Sequence, residues 1–245
     1  MINPSTTMQI NRGNSKYSSW ISVAGCLPTV DIQVQRQCFG GEFGVYSICT
    51  AILSPVSVLY SFGVGKDISF EKELHQIVPL EIHLFDPTPA SILWAQAQYL
   101  PDQFHFHPYG ISNQDGQISI YPPKNSNRTS HSIIKHKWAA DNSITVPAKS
   151  LTSIVNELNH QPIDVLKMDI EGAEYAVIDE MINHNIRPTQ IIVEFHHHYP
   201  EIGIPKTLKA IQQLHQLGYK LFFYSTALEE FSFIFDNHSF KEIVP

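Results

Sequence analysis

Three groups of residues in this chain have the types and spacing to do chemistry. The first is Asp169, Glu171 and Glu174, in the run Asp-Val-Leu-Lys-Met-Asp-Ile-Glu-Gly-Ala-Glu from 164 to 174. There an apolar stretch ends abruptly in carboxylates and a glycine. Carboxylates at the mouth of a buried parallel strand sit where open α/β sheets bind ligands. Glu171 and Glu174 are also explained as acids at the positive end of a following helix. Capping leaves Asp169 unexplained, because a hydrophobic strand carries it to its own end. The second group lies in Gln-Ile-Ile-Val-Glu-Phe-His-His-His, 190 to 198. Residues two apart on a strand share a face, so Glu194, His196 and His198 are expected together, with Phe195 and His197 opposite. The third is Gly63-Val-Gly65 followed by Asp86. Glycines after a strand let backbone N–H groups approach a ligand, and a carboxylate after the next strand can accept from both hydroxyls of a ribose. A tight turn and an Asx cap before Pro87 are the purely structural alternatives.

Oxygen ligands plus one imidazole suit Mg²⁺ or Mn²⁺, so Asp169, Glu194 and His196 are the candidate metal ligands. A metal there would orient substrate hydroxyls and lower the pKa of one of them. Without a metal, His196 or His197 is the candidate general base. A polar strand end meeting solvent is the plain alternative for this histidine run. His131 is a candidate for lining a substrate mouth, with an ordinary loop histidine as its alternative. A sequence this poor in thiols is not expected to hold a structural zinc, and an odd count of three cysteines without CxxC spacing suits a reducing compartment. The third glycine of a dinucleotide fingerprint would fall at Ile68, which argues against NAD or FAD. No GxSxG elbow is present for a serine nucleophile.

The elements that must position these groups alternate along the chain. Apolar runs predict strands at 56–62, 81–85, 104–109, 163–168, 190–196, 219–226 and 230–235. Helical spacing predicts helices at 68–77, 91–99, 151–158, 174–184 and 205–217, the last closed by Gly218. Residues 111–147 read as irregular apart from a short strand at 118–121. Such alternation demands an α/β, doubly wound, mostly parallel sheet, closed by an antiparallel pair where two strands meet through a short connection. Residues 1–50 are expected to form an N-terminal cover whose first dozen residues fray, beside a main domain at 51–245.

Composition bounds the function. With 245 residues, 43% hydrophobic and 16% charged, the chain can bury one substantial core and is neither disordered nor coiled-coil. A net charge of −7 with no Lys/Arg cluster disfavours nucleic acid. The N-terminus carries no basic region before an apolar run and no stretch is of membrane length, so a soluble cytoplasmic protein is expected.

The eight residues Lys-Met-Asp-Ile-Glu-Gly-Ala-Glu, 167 to 174, resemble the signature of the FkbM-type S-adenosylmethionine-dependent methyltransferases. The resemblance runs over about 56–235 and implies a class I, Rossmann-like methyltransferase sheet with a C-terminal antiparallel hairpin. It implies S-adenosylmethionine as cofactor and O-methylation of a sugar or small-molecule hydroxyl. The cofactor would lie over Gly63 and Gly65, its ribose on Asp86, its adenine by Gly110 and Ile111, and Asp169 near its reactive end. Many relatives carry an acid where Ser61 stands. Here Ser61 would face the cofactor without that charge, leaving its ammonium to Asp67 or Asp169. Asp169, Glu194 and His196 would align and deprotonate the acceptor. A metal-dependent hydrolase built on Asp169, Glu194, His196 and His198, and a non-catalytic nucleoside-binding relative, are the competing readings.

Overall fold

The structure, a computed structural model, describes residues 15–41, 44–125, 129–160 and 162–236. The expectation of a frayed first dozen residues, and Phe43 in the expected strand signal before Val45, lie outside these. The chain runs α1 (Ser15–Ala24), β1 (Gln37–Gly41), β2 (Gly44–Ile48), β3 (Val58–Phe62), α2 (Ser69–Ile77), β4 (Glu81–Phe85), α3 (Pro89–Gln96), β5 (Phe104–His107) and β6 (Gly110–Ser112). It continues through β7 (Gly116–Ile120), β8 (Ile144–Ser150), α4 (Leu151–Leu158), β9 (Val165–Met168), α5 (Glu174–His184), β10 (Gln190–Glu194), α6 (Gly203–Gln216), β11 (Tyr219–Tyr224) and β12 (Glu230–Phe235).

Seven strands form the main sheet in the order β11-β12-β10-β9-β3-β4-β5. The five from β10 to β5 are parallel, while β12 pairs antiparallel with both β10 and β11. This is the expected doubly wound sheet with its closing hairpin. The strand order reverses between β3 and β9, and a crevice at that point is the preferred ligand site of such sheets. Gly63 leaves β3 and Asp169 leaves β9 on either side of it. Every residue of β3 and β9 is buried, as strands covered on both faces require.

The two faces of the sheet close separate apolar clusters. Tyr60, Phe62, Leu166, Met168 and Val193 pack with Val177, Ile178 and Met181 of α5 on one face. Leu59, Val165 and Ile192 pack with Phe70 and Leu74 of α2 on the other. Complete burial of each of these aliphatic side chains contributes about 1.5–3 kcal/mol. The alternation also puts Ser61, Lys167, Asp169 and Glu194 on the α2 side of the sheet.

One expectation changes. The stretch read as irregular holds a three-stranded sheet, β6-β8-β7, with β8 parallel to β6 and antiparallel to β7. Pro147 inside β8, opposite Gln117, hides that strand from sequence reading, since proline has no N–H for the ladder. The described part of the first fifty residues packs directly against the main domain. Tyr17 and Trp20 of α1 are buried in the main core, and the buried Gln190 side chain grips Cys49, accepting from its N–H at 2.9 Å and donating to its carbonyl at 3.0 Å. Among the described residues no helix is long and apolar enough to cross a membrane.

Candidate active site

A cavity of about 450 Å³ opens at the carboxyl ends of β3, β4, β9 and β10, a size suited to a small molecule or cofactor. One half is backbone. Gly63 has φ +79° and Gly65 φ +56°, so the turn after β3 adopts left-handed conformations that glycine takes without strain. Asp86, buried at the end of β4, accepts from the Gly65 N–H at 2.8 Å through Oδ2 and from the Thr88 N–H at 2.9 Å and hydroxyl at 2.7 Å through Oδ1. The Asx cap is therefore real. It also clamps the glycine turn, and Asp86 still lines the cavity together with Gly110 and Ile111.

Ser61 is fully buried and absent from the cavity lining. Its hydroxyl donates to Glu71 at 2.5 Å, and Lys167 Nζ stands 3.6 Å from the same Glu71 oxygen and 4.4 Å over the Tyr46 ring. Ser61 thus reaches the cavity only through Glu71, which does line it. The Glu71 carboxylate comes from α2, on the turn of helix that also buries Phe70 and Leu74. Asp67 lines the cavity as well, with Oδ1 accepting from the Ser69 N–H at 2.9 Å and from its hydroxyl.

The other half of the cavity is a carboxylate cluster. Asp169, Glu171 and Glu194 line it, and His196 lies behind them with 2% of its side chain exposed. His196 sits past the end of β10, where its Nδ1–H donates to Glu174 at 2.7 Å. Its Nε2 faces Glu171 at 3.4 Å, Asp169 at 3.6 Å and Glu194 at 3.9 Å. Burial would lower the ring's pKa, but Glu174, Glu171 and Asp169 raise it well above the ordinary value, so this ring is a cation rather than a free base. The same contacts act against the neutral form that a general base at this position requires. Burial and the neighbouring Glu171 push Asp169 up to about 6 against the pull of His196. Burial and then Asp169 push Glu194 up to about 9. Burial acts upward on Glu171 too, yet His196 and the Tyr199 hydroxyl hold it below its usual value.

Glu171 and Glu174 now separate. Glu171 has a left-handed backbone (φ +51°) that turns its side chain into the cavity, secured by the Ser132 hydroxyl on its carbonyl at 2.8 Å and by Tyr199 on its carboxylate. Glu174, wholly buried, accepts from the Gly172 N–H at 3.1 Å and the Ile170 N–H at 3.3 Å while holding His196. It ties the loop and positions the imidazole without lining the cavity.

For a metal, the donors that gather are Asp169, Glu171 and His196, within 4.8 Å of one another, so Glu171 stands nearer the imidazole than the expected Glu194. His197 turns away onto Trp20, their rings 5.3 Å apart, and His198 faces Glu229 at 3.5 Å. A hydrolase set including His198 is not assembled. His131 lines the cavity mouth, its Nδ1 2.7 Å from the Thr129 carbonyl. Sequence reasoning missed Tyr46 of β2, whose buried hydroxyl lies 3.2 Å from Asp169 Oδ2 and 3.3 Å from Glu194 Oε2. It also missed Glu71, although a glutamate on the apolar stripe of a helix is itself a signal.

A human protein described as probable methyltransferase-like protein 24 is 26% identical over 174 residues, covering 67% of this chain and 41% of its own length. Its rat counterpart is 31% identical over 144 residues, covering 58% and 33% respectively. The chain therefore spans well under half the length of these relatives. A crystal structure of an FkbM methyltransferase from Methylobacillus flagellatus superposes over 77% of this chain and 46% of that one, with a TM-score of 0.48 and 10% identity. The sequence matches the FkbM methyltransferase domain over residues 60–221. That match takes in the end of β3, the glycine turn, Asp86 and the whole acidic cluster, and on it this chain belongs to the FkbM methyltransferase family.

Proposed function

We propose that this chain binds S-adenosylmethionine in the cavity and transfers its methyl group to a hydroxyl of a sugar or other small molecule. The observation that carries the reading is the union of two unlike halves in one 450 Å³ space. One is a glycine turn clamped by a ribose-type acid. The other is lined by carboxylates, complementary to a sulfonium and an ammonium. Glu71 takes the place of the acid that many relatives carry at the strand, so the ammonium of the cofactor is assigned to Glu71 and Asp67. Asp86 keeps lone pairs for the ribose, and Gly110 and Ile111 offer the adenine a backbone and apolar edge.

The reaction forms a bond between the acceptor oxygen and the methyl carbon as the carbon–sulfur bond breaks. Sulfur keeps the electron pair, and S-adenosylhomocysteine leaves. The acceptor's proton passes to Asp169, which the His196 cation and Tyr46 hold in place. The catalytic contribution is alignment and proton acceptance, without a covalent enzyme intermediate. Asp169, Glu171 and His196 also have the donor chemistry to hold Mg²⁺ or Mn²⁺, which would take the place of the imidazole proton and polarise the acceptor hydroxyl.

Calorimetry with S-adenosylmethionine and S-adenosylhomocysteine, each with and without Mg²⁺ or Mn²⁺, tests the reading. One nucleoside site is expected, with D169N weakening the sulfonium form several-fold more than the neutral product. Binding of neither nucleoside under any metal condition would sink it.

A further inference from the structure

A second group of ligating side chains lies away from the cavity, at the opposite end of β4. Glu81 and His83 are two apart on β4 and so share a face, and His105 of β5 is in direct register with His83. His160, just after α4, comes over the same spot. The four converge on one atom. Glu81 Oε1 lies 3.0 Å from His83 Nε2, 3.5 Å from His105 Nε2 and 3.7 Å from His160 Nε2. The donor atoms of Glu81, His83 and His105 all fall within 4.8 Å of one another. None of these residues lines the cofactor cavity.

We propose that Glu81, His83, His105 and His160 form a binding site for a divalent ion of the zinc type, separate from the methyltransferase centre. Zinc takes imidazole nitrogen and carboxylate oxygen at about 2.0–2.2 Å, which sets ligands around a tetrahedral ion roughly 3.3–3.6 Å apart. The three separations from Glu81 bracket that value. The outer ring nitrogens are held as well. His83 Nδ1 is 2.9 Å from His107 Nε2, and His160 Nδ1 is 3.0 Å from the Tyr60 hydroxyl. Partners of this kind fix the tautomer that leaves Nε2 free for a metal. The scarcity of thiols, which argues against a cysteine-built zinc, has no bearing on an imidazole and carboxylate set. The site has an evident use. β5 is an edge strand of the main sheet, and an ion here fastens it to β4 and to the segment after α4.

The test is zinc titration of the chelator-stripped full chain by calorimetry, with thermal unfolding followed in parallel. One saturable site and a rise in melting temperature are expected. Both should weaken at least about tenfold or vanish in H105A and in H160A, and persist in E171Q. The His105 side chain is 44% exposed, so its replacement is expected to leave the fold intact. X-ray absorption of the zinc-loaded protein should report nitrogen and oxygen ligands with imidazole scattering. The proposal is overturned by the absence of saturable zinc binding in the unmodified chain, by binding that survives both histidine substitutions, or by binding lost with E171Q instead.

Discussion

Two glycines separated by one residue should respond very differently to the same added methyl group. A Cβ built on Gly63 falls 1.7 Å from the Asp169 carbonyl oxygen and 2.7 Å from its carbonyl carbon, both backbone atoms that cannot rotate away. Among the described residues, a Cβ on Gly65 meets only the Thr129 hydroxyl at 3.3 Å, the end of a side chain. Both sites have positive φ, which costs a non-glycine residue about 1–2 kcal/mol. G65A should lose about that much. G63A adds a forced separation of the β3 and β9 ends, about 1–3 kcal/mol by analogy with overpacked cores, for a total of about 2–5 kcal/mol. The displacement should also disturb cofactor binding, because the moving parts are the glycine turn and Asp169 themselves. The assay is urea unfolding of both variants, combined with S-adenosylhomocysteine binding. If G63A and G65A differed in stability by less than about 0.5 kcal/mol, the claim that Gly63 is required by backbone contact across the switch point would be wrong.

E180A should cost about 2 kcal/mol in urea unfolding while leaving S-adenosylhomocysteine affinity unchanged. The Glu180 carboxylate accepts from the Leu151 N–H at 3.0 Å and the Thr152 N–H at 2.8 Å, capping α4 from a neighbouring helix, and unchanged stability would refute this role. K167M leaves Glu71 buried without its cation and should cost about 3–5 kcal/mol. In a double-mutant cycle K167M/E71L should be less destabilised than the sum of the singles by about 1–3 kcal/mol, and strict additivity would mean the pair is not coupled. Y46F should lose about 1.5–3 kcal/mol of stability, because Asp169 and Glu194 then face each other with no hydroxyl between them. A melting temperature equal to that of the unmodified chain would count against that bridge.

What was legible in the sequence was whatever depends on neighbours along the chain. Strand-to-helix alternation shows in the local pattern, so the main sheet, its closing hairpin and the exits at Gly63, Asp86 and Asp169 could be placed. Glu194 and His196 were expected on one side from the two-residue period of a strand; His196 falls past the end of β10, with its Nε2 3.6 Å from Asp169 and 3.9 Å from Glu194. The residues that were missed are set by distant contacts. Tyr46 is 123 positions from Asp169, and nothing in Gly-Val-Tyr-Ser-Ile marks its hydroxyl for a carboxylate pair. The roles of Glu171 and Glu174 could not be told apart from their positions in the run. The first is turned outward by a left-handed backbone that its side chain gives no reason to expect, and the second is drawn inward by an imidazole 22 residues away. Ser61 misled in a different way, since its hydroxyl matters as a partner of Glu71 from the next element.

The cluster's protonation follows from simple counting. Asp169, Glu171, Glu174 and Glu194 surround one imidazole, and desolvated carboxylates this close cannot all be ionised without matching cations. The imidazolium of His196 is one such charge, placed where three of them converge. Tyr46 has a single hydroxyl proton yet lies within hydrogen-bond distance of both Asp169 and Glu194, so only one of these can be accepting from it. The second bond needs a proton on a carboxyl group. Burial and then Asp169 raise Glu194 furthest, to about 9, which makes it the carboxyl group that holds a proton most readily. That leaves Asp169 as the carboxylate most free to change its charge where the cavity begins. A positively charged ligand entering from the glycine side would stabilise its ionised form, and so prepare it to receive a proton when a hydroxyl acceptor follows.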